Sequence, residues 1–158
     1  MPSFIELTQG FITLVDDEDY DNLNNYNWYY SHGYATRMSK EPNRKIIHMH
    51  RVIKNTPPGM ETDHINNNGL DNRKCNLRIC TRIENIHNSK IRKDNTSGYR
   101  GVTFHKATNK WMSRVQNLKN RIILGYFDTA KEAALEYDKK AKEFHGEFAK
   151  LNFPRCEV

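Results

Sequence analysis

Glu61-Thr62-Asp63-His64-Ile65-Asn66-Asn67-Asn68-Gly69-Leu70-Asp71-Asn72-Arg73-Lys74-Cys75-Asn76-Leu77-Arg78 is the stretch that decides how this 158-residue chain is read. It sets a carboxylate beside an imidazole at Asp63-His64, and then runs into a loop rich in Asn, Asp and Gly. Two carboxamides follow, Asn76 twelve residues beyond His64 and Asn85 nine further on. Asn and Asp side chains bond their own backbone and Gly adopts positive φ, so such a loop is built of turns. A strand is expected to carry Asp63 and His64, with the loop over 66–74, a second strand over 76–80 and a helix from Thr81. Thr81-Arg82-Ile83-Glu84 has the pattern of a capping box, in which hydroxyl and carboxylate satisfy the first unpaired N–H groups of a helix. Asn85 then lies about one turn into that helix and points back toward the strands.

Hydrolysis of a phosphodiester needs a deprotonated water, a neutralised phosphate and a stabilised leaving oxygen. A hard divalent cation held by oxygen ligands can meet the last two needs. Asp63 offers a charged oxygen and Asn85 a neutral one, while the imidazole of His64, with an ordinary pKa of ~6.5, suits a general base. With this text and spacing, residues 61–78 and Asn85 resemble the HNH endonuclease family, in particular its phage homing type. The resemblance implies a short ββα-metal unit over 59–90 in which Asp63 and Asn85 hold one Mg²⁺ or Mn²⁺. It further implies that His64 activates water and that Asn76 braces the loop through hydrogen bonds. One geometric condition attaches to it. Neighbours on a regular strand point to opposite faces, so Asp63 and His64 serve one site only if the strand twists or bulges there. Asp71-Asn72 also resembles the family's loop, and an Asx-turn explains the pair equally well.

Zinc-ribboned HNH relatives carry flanking cysteine pairs. Here Cys75, Cys80 and Cys156 form no C-x-x-C pair, so they are read as fillers and the brace is expected from the N-terminal strands. His50-Arg51 resembles a pair found upstream in phage HNH proteins. Arg51 is placed either to contact phosphate or to tie the N-terminal segment to residues 59–90, and the tie is favoured. His32, His48, His87 and His145 show no convergent partners, so packing or surface roles are expected for them.

Charge is concentrated in the second half. Residues 72–121 carry 13 Lys/Arg against Glu84 and Asp94 alone, whereas residues 1–58 carry 6 Lys/Arg and 7 Asp/Glu. That asymmetry is the footprint of a phosphate-binding surface. Three strands are expected over 99–105, 111–117 and 121–127. A helix should open at the capping box Thr129-Ala130-Lys131-Glu132, with Ala130, Ala133, Ala134, Tyr137, Ala141 and Phe144 on one face and Gly146 at its end. Alternation turns Val102, Phe104, Trp111, Val115, Ile122 and Leu124 toward the helix and leaves Arg100, Arg114, Gln116 and Arg121 on the other side. Arg and Gln can read base edges through paired donors and acceptors. Lys90, Arg92, Lys93, Lys106, Lys110 and Lys119 are read as phosphate contacts, which position without specifying. Tyr99-Arg100-Gly101-Val102, Lys110-Trp111, Leu124-Gly125-Tyr126-Phe127-Asp128-Thr129, Glu132-Ala133-Ala134, Tyr137-Asp138 and Leu151-Asn152-Phe153-Pro154 resemble the plant ethylene-response-factor (Apetala-type) DNA-binding domain. In that family a three-stranded antiparallel sheet enters the major groove with the helix behind it. Thr103, His105 and Ile123 stand where the plant domains place other residues, so their target sequence is not carried over.

Residues 4–56 read as strand-rich, with strands over 4–8, 11–15, 28–30 and 33–37 and a short helix after the acidic run Asp16-Asp17-Glu18-Asp19. A strand, or a strand running into a helix, is expected over 46–53, and the aromatic cluster at Tyr26, Trp28, Tyr29 and Tyr30 is read as core. Met1 to Gly10 has no basic segment leading into an apolar run, so no secretory signal is expected, and the protein is expected in the cytoplasm of a bacterial host if a phage encodes it. The expected fold is α+β: an N-terminal strand-rich scaffold (1–58), a ββα-metal unit (59–90), a basic linker (91–98), and a three-stranded antiparallel sheet packed on one helix (99–154). The expected activity is that of a homing-type endonuclease acting on double-stranded DNA, as a monomer or homodimer and without a membrane partner. The alternative is a non-catalytic sequence-specific DNA-binding regulator that retains the nuclease scaffold. Duplex RNA is disfavoured, because its A-form major groove does not admit a sheet.

Overall fold

Apolar and polar side chains alternate on both sides of the turn at Gly10, and the segment folds back on itself there. The computed structural model describes residues 2–40, 42, 44–88, 91, 94–117 and 120–154, with His87 described by its backbone alone. In it β1 (Pro2–Glu6) and β2 (Ile12–Asp16) form an antiparallel hairpin. Ile5, Thr13 and Val15 turn inward, while Phe4 and Ile12 stay exposed. The acidic run starts α1 (Asp17–Asn24), with Asp17, Glu18 and Asp19 in its first turn, where unpaired N–H groups favour negative charge. β3 (Tyr29–Ser31), β4 (Tyr34–Met38) and β5 (Ile46–His48) form a second antiparallel sheet. Of the two readings for 46–53, the strand running into a helix is observed: β5 passes directly into α2 (Met49–Ile53). Ile5, Leu7, Val15, Leu23, Trp28, Ala35 and Met49 make the core. Trp28 is 1 % exposed and its Nε1 donates to Leu23 O at 2.8 Å, so it belongs to the packing. Tyr26 departs from the expected core, being exposed and covered by the Arg37 guanidinium.

β6 (Glu61–His64) pairs antiparallel with β7 (Leu77–Cys80), Glu61 opposite Cys80 and His64 opposite Leu77, without a register shift. α3 (Arg82–Asn88) follows. The expected capping box forms, Thr81 N donating to Glu84 Oε2 at 2.7 Å and Glu84 N to Thr81 Oγ1 at 3.3 Å. Asn76 lies in a 3-10 turn (Lys74–Asn76) just before β7, not in the strand.

The C-terminal sheet has the order β10-β9-β8, with β8 (Val102–His105), β9 (Lys110–Asn117) and β10 (Asn120–Phe127), and α4 (Ala130–His145) packs against it. Both halves of the Thr129 capping box are present. Ala133, Ala134, Tyr137 and Ala141 are buried on α4, against Val102, Val115, Trp111, Ile122 and Leu124. A bulge between Ile123 and Gly125 inserts one residue into β10 and resets the alternation, so that Phe127 as well as Leu124 reaches the helix side. Phe104 sits edge-on to Trp111 and is 39 % exposed, so it caps the core's margin instead of filling it.

The chain divides into two compact units, Met1–Asn85 and Ile86–Val158. The scaffold and the 59–90 segment, read separately from sequence, share the first unit up to Asn85, because β2 hydrogen-bonds to the loop between β6 and β7. In the supposed linker, Asn95 Nδ2 donates to Tyr99 O at 2.9 Å and Ser97 Oγ to Val102 O at 2.9 Å. The Asn/Ser/Gly composition that suggested flexibility is turn chemistry fastened to the second unit. Among the described residues no helix is long and apolar enough to cross a membrane.

Candidate functional site

The 66–74 loop has little apolar side chain to bury, so its shape rests on hydrogen bonds. Asn76 is the central pin. Its Oδ1 accepts from Asn66 N at 3.0 Å, and its Nδ2 donates to Asn66 Oδ1 at 3.0 Å and to Asp71 O at 2.8 Å. Asp71 receives Arg73 through Nε and Nη2, both at 2.7 Å, and Asn66 Nδ2 at 2.9 Å. The Arg73 contact holds its carboxyl below the ordinary carboxylate range. The expected N-terminal brace is β2. Leu14 N donates to Leu70 O and Asn72 N to Leu14 O, both at 2.8 Å, and Lys74 N donates to Asp16 Oδ2 at 2.7 Å. Arg51 serves as the favoured tie, its Nη1 donating to Met60 O at 2.9 Å. Gly69 passes so close to the β3–β4 turn that an added Cβ would lie 2.2 Å from Gly33 O.

His64 ends β6 and is 5 % exposed, with Nε2 3.1 Å from Asn72 Oδ1. Asn72 Nδ2 donates to Thr13 Oγ1 at 2.8 Å, and Thr13 Oγ1 in turn donates to Leu70 O at 2.8 Å. A hydroxyl already donating to a carbonyl must accept from the amide nitrogen, which turns Asn72 Oδ1 toward the imidazole. Neutral His64 therefore carries its proton on Nε2 and its lone pair on Nδ1. Burial pushes its pKa below the ordinary value, against the opposing pull of Asn72, Asp63 and Asp71. Tyr34, His50 and His48 gather on this face. The His50 ring lies 5.0 Å from His64 and 5.2 Å from His48, and Tyr34 lies 5.8 Å from His64. Convergence of His48 corrects the expectation that it lacks partners. Burial, with His64, His48 and Arg51 nearby, drives the pKa of His50 down to about 3.

Asp63 turns the other way. β6 is paired without twist-inducing irregularity, so the bulge that would set Asp63 and His64 on one face is absent. Arg78, directly opposite, donates to Asp63 Oδ2 through Nε at 3.0 Å and Nη2 at 2.8 Å. Asn85 does reach the Asp63 side of the strand: its Nδ2 donates to Glu61 Oε2 at 2.7 Å, and Glu61 shares a face with Asp63 two residues away. With its N–H engaged, Asn85 presents a carbonyl oxygen. Asp63 and Glu61 are thus both engaged, the first by Arg78 and the second by Asn85. Among the described residues no group of three or more His, Cys, Asp or Glu is arranged to hold a metal ion. Of the sequence-predicted residues, Asp63 and Asn85 share one face, and His64 lies on the other with Asn76 pinning the intervening loop. Glu61, Arg78, Asn72, Thr13 and Tyr34 complete the two faces. Glu61 could have been found by the period of two; Thr13, far away in the chain, carried no signal.

In the second unit, Arg100, Arg114, Gln116 and Arg121 line one cleft of about 450 Å³ together with Asp94 and Tyr137. Gln116 and Arg121 are cross-strand partners. Arg100 is positioned from behind: its N donates to Asn152 Oδ1 at 2.7 Å, and Asn152 N and Nδ2 donate to Asp138 Oδ1 at 2.8 and 3.0 Å. The Tyr137-Asp138 and Asn152-Phe153 motifs are therefore one clamp from α4 to the start of β8. Lys110 Nζ lies 3.1 Å from Asp128 Oδ1, an ion pair the phosphate-contact reading did not foresee. Lys106 is exposed in the β8–β9 turn. Lys90, Arg92, Lys93 and Lys119 lie outside the described residues.

No family model matches the chain, and no solved structure matches it. It is 45 % identical over 58 residues to the AP2-like ethylene-responsive transcription factor TOE2 of Arabidopsis thaliana, covering 37 % of this chain and 12 % of that protein. It is 42 % identical over 62 residues to the dehydration-responsive element-binding protein 2A of the same plant, covering 38 % of this chain and 18 % of that one. The chain thus spans under a fifth of either plant protein. It is also 31 % identical over 118 residues to Protein 3.8 of Escherichia phage T7, covering 71 % of this chain and 92 % of the phage protein. That match is longer than either compact unit, so it reaches into both.

Proposed function

The chain belongs to the family of Protein 3.8 of Escherichia phage T7, and we propose that it binds double-stranded DNA through its C-terminal sheet and hydrolyses a phosphodiester bond with the first unit. DNA binding has the broader support: the plant relatives are named as transcription factors and an element-binding protein, and three arginines and a glutamine converge on one cleft of the basic half. The hydrolytic part rests on one observation, the Thr13–Asn72–His64 chain. It supports the Nε2–H tautomer of a buried imidazole, in which Nδ1 would be the proton acceptor in the role of a general base.

Asp63 and Asn85 could hold one Mg²⁺ or Mn²⁺ only with Asp63 released from Arg78; such an ion when bound supplies charge neutralisation at the phosphate and the leaving oxygen. Asn76 holds the loop that carries Asn72, and the rings of Tyr34 and His50 pack against the imidazole. This reading requires the end of β6, where His64 is the last residue, to rearrange when DNA is bound, because the regular strand sets Asp63 and His64 on opposite faces. The second reading is a DNA-binding regulator without hydrolytic activity. The regular register that parts Asp63 from His64 favours it. Incubation of supercoiled plasmid with Mg²⁺ separates the two. The nuclease converts it to nicked or linear form and His64→Ala does not, whereas the regulator leaves it supercoiled while retarding it on a gel. One site cuts one strand, so a monomer is expected to nick and a dimer to cut both.

A further inference from the structure

The C-terminal sheet carries two kinds of side chain on the side away from α4. Val115 is buried against α4, so its neighbours Arg114 and Gln116 point the other way. Residues directly opposite on paired strands share a face. The register therefore sets Arg121 beside Gln116, Ile123 beside Arg114, and both Tyr126 and Thr103 beside Met112. One end of this face is cationic and the other is apolar, with Ile123 56 % and Tyr126 42 % exposed. Three residues apart, Ile123 and Tyr126 would point to opposite faces of a regular strand; the bulge between Ile123 and Gly125 brings them to the same one. An exposed apolar patch rimmed by polar groups marks a contact surface, and guanidinium groups beside it draw a polyanion there. In a DNA major groove the apolar feature of a base edge is the thymine C5 methyl. We propose that Ile123, with Tyr126 and Met112, reads thymine methyl groups, next to purines contacted by Arg114, Gln116 and Arg121. This rests on the reading of the sheet as the DNA-binding face, and adds to it a sequence class: purine contacts adjoining thymine.

Selection of bound duplexes from random DNA by the full chain supplies the site. The same duplex with every thymine replaced by deoxyuridine then tests the proposal, since uracil keeps the base-pair hydrogen bonds and loses only the methyl. Wild type is expected to bind the uracil duplex about fourfold more weakly for each methyl buried. Ile123→Ala is expected to discriminate less between the two duplexes, with the salt slope of binding unchanged, because no phosphate contact is lost. A selected site without thymine, equal binding of both duplexes by wild type, or full discrimination by Ile123→Ala overturns the proposal. If that variant does not fold, the two wild-type affinities decide alone. Arg114→Gln tells the two readings apart. Weaker binding of the selected duplex by Arg114→Gln keeps the sheet as the DNA-binding face even where the methyl makes no difference. Affinity unmoved by Arg114→Gln, or no duplex retained by wild type, removes that reading and the proposal with it.

Discussion

Acidification should unfold the first unit at a pH where its carboxylates are still ionised. His50 is 7 % exposed, its Nδ1 has no hydrogen-bond partner among the described residues, and His64 and His48 crowd it at 5.0 and 5.2 Å. Its folded pKa is driven to about 3, against ~6.5 for an unfolded histidine. The unfolded chain therefore takes the proton first, so stability is full above ~6.5 and is lost progressively as pH falls toward 3. From pH 7 to pH 5 the loss from His50 alone is about 2 kcal/mol, at roughly 1.4 kcal/mol per unit below the unfolded value. His48 and His64 are shifted in the same direction and add to it. Asp71, lowered by Arg73, loses its contribution only at lower pH. The chain has two tryptophans, Trp28 in the first unit and Trp111 in the second, so Trp111→Phe leaves Trp28 emission as a reporter of the first unit alone. Urea titrations at pH 7 and pH 5 should show a loss of about 2 kcal/mol or more, and His50→Leu should shrink that loss by about 2 kcal/mol. An equal loss in both proteins refutes the reasoning.

Gly101 has φ 73° and an added Cβ would lie 2.1 Å from the Tyr137 ring, so Gly101→Ala should destabilise the second unit by roughly 2–4 kcal/mol, seen as an earlier thermal transition at Trp111. Asn152→Ala breaks the clamp between Asp138 and the Arg100 backbone; about 2 kcal/mol of stability and part of the DNA affinity should go, and unchanged retardation would mean that Arg100 needs no such support. Asn72→Ala removes the partner that fixes the His64 tautomer and should slow cleavage about 10²-fold or more, in single-turnover assays of the folded variant. Removal of residues 97–158 should flatten the salt dependence of DNA binding, whose slope is about -0.9 per neutralised phosphate.

Local signals in the sequence were read well because their causes are local. Both capping boxes, the acidic helix start and the α4 stripe follow from neighbours three or four residues apart, and all are observed. Asn76 as the loop's pin was legible from the resemblance, and Trp111 as core from alternation. What escaped depends on long-range pairing. Thr13 meets Asn72 only because β2 lies beside the loop, 59 residues away in the chain. The β10 bulge altered which residues face α4, and no residue pattern announced it. The pleat, correctly anticipated, parts Asp63 from His64, and Arg78 opposite Asp63 became visible only once the register was known. At Asn95 and Ser97, read as linker, the side chains bond the backbone of Tyr99 and Val102, a pairing that composition does not reveal because turns and linkers use the same residues.

The proposed hydrolysis needs both His64 and Asp63 at one phosphodiester, although β6 turns them to opposite faces. Single-turnover cleavage of an end-labelled duplex, selected from random DNA by binding, tests it most directly when wild type, His64→Ala and Asp63→Ala are compared beside their DNA affinities. The account predicts Mg²⁺-dependent product from wild type, a loss of at least about 10² in rate for either variant, and affinities that stay together. Intact duplex from wild type at saturating protein, in Mg²⁺ and in Mn²⁺, would contradict it and leave a DNA-binding protein that does not cut.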